Sequence, residues 1–174
     1  MKTHNAYIKK NTSDYYNIAT CSSLVLSFLC HYFKETDKPI DMGLIYYILP
    51  IVFSEDYREA INRTKRKTAF LYCIGSIKTV QEPLKYLGHL AVSYKTLTSL
   101  SISFLIENDL ITIVDSSKVS STTDNSSLLI ERLSRQQKRE EYLIQDRYKA
   151  TEKLAIKLQL ESEQRITSLT GVSL

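Results

Sequence analysis

The chain has 174 residues, 43% of them hydrophobic, with a formal net charge of +4. That is one domain's length with enough apolar content for a real core, and the charge is too mild to imply nucleic acid by itself. Four glycines and three prolines are too few for the turns of an all-β fold. No span of about 20 apolar residues is present, so no membrane partner is expected and the chain is placed in the cytoplasm. Cys21, Cys30 and Cys73 are odd in number and widely spaced, which reads as reduced, buried thiols. His4, His31 and His89 are too scattered for a metal site. No nucleotide-binding glycine loop, nucleophile–base pair or paired acids in a metal setting is legible, so neither an enzyme nor a cofactor is expected.

Residues 1–13 are polar and expected to be loose. From Asp14 to Lys34 the spacing of Ile18, Cys21, Val25, Phe28, Leu29 and Tyr32 predicts a helix. Leu24, Leu26 and Phe33 widen its apolar face to that of a central helix. Lys38-Pro39 turns the chain into Leu44 to Arg58, the stretch around which the rest is organised. Asp41 can cap a helix whose stripe is Met42, Ile45, Tyr46 and Leu49, and Pro50 should end or kink it. Ser54 is placed to cap a further short helix, with Glu55 and Asp56 suiting its dipole.

Arg63, Lys65, Arg66 and Lys67 put four positive charges into five residues before an apolar helix from Thr68 to Ile77. Such a cluster is ordinarily a solvated loop; its functional reading is contact with a phosphate backbone or an acidic partner. Thr79 to Glu82 has the pattern of a capping box, with Pro83 in the first turn of a helix running to Ala91. VSYK at 92–95 reads as a turn and Thr96 as the next cap. Leu97, Leu100, Phe104 and Leu105 then keep helical spacing, and Asn108-Asp109 is a left-handed stop. Leu110 to Val114 is strand-like. Helix, turn, helix and strand in this order predict a mainly α domain with a winged-helix-like core. Residues 115–127, eight of which are Ser or Thr, would be its mobile wing, with Leu128 to Ile130 as the return strand.

The domain so defined spans 14–133, and 134–174 forms a C-terminal helical extension. Its long helix, from Ser134 to Leu160, has a narrow stripe of Leu143, Ala150, Leu154 and Leu158, suited to docking on a partner helix. Lys149, Lys153 and Lys157 form a ladder expected to be solvated. Ser162 caps a last helix that stops at Gly171.

A DNA-reading second helix would present Arg, Lys, Asn or Gln. Here Ser99, Ser103 and Glu107 are expected to face outward, with only Lys95 at the entrance. Protein docking is therefore favoured, and a free-standing winged-helix DNA-binding regulator is the alternative.

Three segments carry a family resemblance. Ile48 to Phe53 followed by Asp56 to Ala60, the Thr/Lys-rich turn feeding the helix at Thr64 to Ile74, and the close Ile166 to Val172 together resemble the middle component of three-component ABC-ATPase systems, which include the Lamassu anti-phage defences. The resemblance implies a non-enzymatic adaptor that couples an SMC-like ABC ATPase to a nuclease or other effector, with DNA contact, if any, made only within the complex. Leu49, Pro50, Tyr57 and Arg58 at the proline corner and Leu143, Leu154 and Leu158 on the last long helix are the expected partner contacts. Tyr and Arg often anchor interfaces.

Overall fold

The computed structural model describes residues 17–115, 117–121, 142–159 and 161–171. The expected loose N-terminus (1–13), the return strand at Leu128 to Ile130 and the start of the long helix at Ser134 lie outside them.

The first helix, α1 (Ile18–Thr36), begins where Asn17 accepts a hydrogen bond from the Ala19 amide and stops at left-handed Asp37. Cys21, Leu24, Val25, Phe28 and Leu29 are fully enclosed, so this is the central helix its wide apolar face predicts. A two-residue strand, β1 (Ile40–Asp41), leads to two short helices, α2 (Met42–Ile45) and α3 (Ile48–Phe53). Pro50 neither ends nor kinks a long helix as expected. It occupies the first turn of α3, where its missing N–H has no intrahelical partner to lose. Helices α4 (Glu55–Arg63) and α5 (Phe70–Gly75) follow, joined by the basic loop.

The largest departure from expectation is α6 (Pro83–Glu107), one unbroken helix of 25 residues. The predicted turn at 92–95 is inside it, so no helix-turn-helix break exists there. Val92, Ser93, Tyr94 and Lys95 contain no Gly or Pro, Ser93 bonds back to the His89 carbonyl, and the Tyr94 ring stacks on Phe53 at 5.9 Å. Tertiary contact fixes as helix what looked like a turn. The helix is not opened by a capping box either. Glu82, in the left-handed region at φ 50°, precedes it, and Thr79 instead donates to Asp56 across the loop. At its far end Asp109 takes φ 55°, the predicted left-handed stop.

The face of α6 is also rotated from expectation. Leu100 and Phe104 are 47% and 40% exposed, whereas Thr98, Ser101, Ile102 and Leu105 are buried. Ser101 can be interior because it bonds locally, its Oγ donating to the Leu97 carbonyl at 2.9 Å, whereas the Thr98 hydroxyl is buried with no hydrogen-bond partner among the described residues. Ser99, expected outside, is half-buried and hydrogen-bonded to the Tyr46 hydroxyl.

Strand β2 (Ile111–Asp115) falls on the stretch read as a strand and pairs in a hairpin with β3 (Lys118–Ser121), which lies inside the segment expected to be mobile. β3 lies between β1 and β2, all antiparallel, with Val119 paired to both Ile40 and Ile113. Val119 and Ile40 are fully buried, and that anchor orders the start of a Ser-rich stretch.

The chain closes with α7 (Tyr142–Leu158) and α8 (Glu163–Thr170). Neither behaves as an extension. α7 packs along α1 and α4, and α8 packs on α6, within the same core. Ser162 caps α8 by accepting from the Arg165 amide, and Gly171 ends it at φ 71°, both as predicted. The fold is mainly helical with one small antiparallel sheet. None of its described helices is long and apolar enough to cross a membrane.

Candidate interaction surfaces

The residues expected to contact partners are inside the molecule. Leu49, Tyr57, Leu154 and Leu158 are fully buried, Pro50 is buried, and Arg58 is 5% exposed. The side chain of Leu143 lies outside the described residues. Each such side chain that is described is used within the chain. The Tyr57 hydroxyl donates to the Pro83 carbonyl at 2.6 Å, and burial pushes its pKa up. Arg58 Nε meets Asp146 Oδ2 at 2.9 Å, while its Nη1 donates to the carbonyls of Val52 and Phe53. Those carbonyls belong to the last turn of α3, where helical partners run out, so Arg58 is both a cap and an ion pair. Asn62 holds the other oxygen of Asp146 at 2.7 Å. The abrupt charged turn after the apolar run thus has a structural purpose: α4 faces α7 through this cluster.

The stripe on α7 looked narrow because polar residues share its buried side. Arg147, Thr151 and Lys157 are 2% exposed or less. Thr151 bonds Ser27 and Tyr148 bonds Ser23, both on α1. The Arg147 guanidinium lies 4.8 Å from the centre of the Phe53 ring, on which Tyr94 stacks in turn.

The lysine ladder departs from a solvated face as well. Lys149 is exposed, but Lys153 donates to the carbonyls of Asn62 and Thr64, and Lys157 to those of Lys65 and Thr68 at 2.7 and 3.2 Å. Desolvation first, then the neighbouring charges of Lys149 and Lys157, lower the Lys153 pKa. The two ammonium groups strap down the basic loop and take up carbonyls at the C-terminal end of α4. With its backbone held from below, the loop turns its side chains outward. Arg63, Lys65, Arg66 and Lys67 are all exposed; Arg63 pairs with Glu59 at 2.6 Å and Arg66 with Glu35 at 2.7 Å. The four predicted cluster residues are thus brought together on the surface. Asp146, Asn62, Lys153 and Lys157, which organise the ground beneath them, had no sequence signal beyond the i, i+4 lysine spacing.

A second surface is apolar. Val92, Leu100 and Phe104 on α6 are 40% exposed or more, and so are Ile113 and Val114 on β2. Among the described residues no group of three His, Cys, Asp or Glu is placed to hold a metal ion.

These features define a mainly helical domain with one core, a small antiparallel sheet and two chemically different surfaces. Residues 6–174 match the model of the family described as ABC-three component (ABC-3C) system Middle Component 3, and the chain belongs to that family. A middle component of a multi-component system implies partner proteins. No curated protein and no solved structure matches the chain.

Proposed function

We propose that this chain is a non-enzymatic, cytoplasmic adaptor of a Lamassu-type anti-phage defence complex, coupling an SMC-like ABC ATPase to a nuclease or other effector. The family match over residues 6–174 carries this reading. The order of the elements supports a winged-helix scaffold for it. β1, between the first two helices, pairs with the last strand of the β2–β3 hairpin, as the wing of such a fold requires, and α6 stands in the place of the presenting helix. Beyond Lys95 the exposed residues of α6 are Thr96, Leu100, Ser103, Phe104 and Glu107, a face suited to protein rather than base edges.

Co-expression with a candidate ABC ATPase and a candidate effector of a three-component system tests the reading. The three proteins should co-purify, and Leu100→Asp with Phe104→Asp should release a partner while the helical spectrum and melting temperature of the free chain stay unchanged. Loss of phage protection should accompany that release. Failure of the wild-type chain to bind either partner would sink the adaptor. Sequence-specific duplex binding by the chain alone would establish the alternative, a free-standing winged-helix regulator.

A further inference from the structure

We propose that the strapped basic loop, with the cleft beneath it, is a binding face for the phosphate backbone of nucleic acid, indifferent to base sequence. Three elements far apart in the chain build this face: the end of α1, the loop at 63–69 and the outer side of α7. Direct contacts join them: Arg66 pairs with Glu35 at the end of α1, and Lys153 and Lys157 on α7 donate to carbonyls of Asn62, Thr64, Lys65 and Thr68. Lys34, Lys65, Lys67 and Lys149 stand exposed there, and none makes an ion pair among the described residues.

Beneath the loop lies a cleft of about 530 Å³ lined by Arg66, Lys67, Thr68, Ile156, Lys157 and Gln159, with Glu35 its carboxylate. Arg66 engages Glu35, which leaves the charges of Lys67 and Lys157 uncompensated. Lys157 is 2% exposed and bonded to two carbonyls, with no carboxylate at ion-pair distance among the described residues. A buried cation balanced only by carbonyl dipoles gains most from an approaching anion, because little water screens it.

The partner is a polyphosphate rather than a protein because the face lacks an apolar anchor. No large exposed hydrophobic residue lies within 31–35, 63–69 or 149–159, whereas the α6 surface carries several. Protein interfaces need such a centre; backbone contacts to nucleic acid do not. The loop's geometry is also fixed before binding, so its lysines lose less freedom on contact than those of a slack loop.

The test is fluorescence anisotropy of the full-length chain with two labelled 20-base-pair duplexes of unrelated sequence, over a range of salt. Both should bind alike, and Lys65→Gln with Lys67→Gln should reduce the slope of log K against log salt by about two. Lys78→Gln with Lys95→Gln, on exposed positions elsewhere, should leave the slope unchanged. Poly-glutamate and inorganic phosphate serve as competitors at matched ionic strength. The proposal is overturned if the loop variant leaves the slope unaltered, or if the Lys78/Lys95 variant is the one that changes it. It is equally overturned if poly-glutamate binds more tightly than DNA, which would assign the face to an acidic protein. Displacement by inorganic phosphate beyond its ionic-strength effect would assign the cleft to a small phosphate ligand instead. None of these outcomes bears on whether the partner proteins co-purify, so the adaptor reading is judged separately.

Discussion

Lys157 Nζ lies 2.7 Å from the carbonyl oxygen of Lys65, ninety-two positions earlier in the chain. A cation at the end of the last long helix holds the backbone of a loop whose own side chains are cationic. Lys157→Met keeps the stem's volume and removes the donor, leaving the carbonyls of Lys65 and Thr68 without their partner. The expected cost is about 1–3 kcal/mol. Hydrogen exchange should speed up at the amides of 65–68 more than in α1. Uniform exchange across the chain would show that the strap has no local role.

Arg58 and Asp146 should behave as a coupled, partly buried pair. Arg58→Ala leaves the Asp146 carboxylate with Asn62 alone and uncaps α3, and about 1–3 kcal/mol of stability is expected to go with it. A double-mutant cycle with Asp146→Asn in urea should return a coupling well above that of a surface pair, which is about 0–1 kcal/mol. An additive cycle would mean that the side chains act independently. Because Arg58 is buried, any loss of partner binding in Arg58→Ala has to be read against this unfolding.

Truncation before α7 is expected to destroy the fold rather than release one partner. Without residues 142–174, the central helix α1 loses the helix that packs along it through Ser23 and Ser27. The truncated chain should show low helicity and no cooperative melting transition. A well-folded fragment would restore the C-terminal part as a separable arm.

Stability should decline on mild acidification. Burial, the largest influence on His31, lowers its pKa from the ordinary 6.5; Lys34 and Arg66 add to this while Glu152 and Glu35 oppose it. The unfolded chain therefore binds the proton more readily. Stability is expected to fall as pH drops below about 6.5 and to level off once the folded-state value is passed. His31→Gln should flatten the stability profile between pH 7 and 5. A profile with the same slope in that variant would place the titration elsewhere.

The cysteines should be silent in the native state. All three are buried thiols, and burial pushes that of Cys21 up to about 11 despite the opposing field of Arg147. Native protein should react with a thiol reagent only at its unfolding rate, and denatured protein should titrate three thiols at once. Rapid labelling of a single native thiol would contradict the packing around it.

What the sequence determined by itself is local. Apolar periodicity gave α1, short-range stereochemistry gave the stops at Asp109 and Gly171 and the cap at Ser162, and composition gave a mainly helical domain with reduced cysteines. Crowding of like charge picked out the basic cluster. These features depend on neighbours a few residues away. Only the tertiary structure decided which polar residues are interior. Arg58, Arg147, Thr151 and Lys157 lie inside because distant groups hold them: Asp146 for Arg58, the Phe53 ring for Arg147, Ser27 for Thr151 and the carbonyls of 65 and 68 for Lys157. No periodicity reports such partners, so α7 read as a narrow docking stripe while its broad inner face was already occupied. The continuity of α6 has the same origin. Weak local preference at 92–95 allowed a turn, and stacking of Tyr94 on Phe53 across the core fixed it as helix.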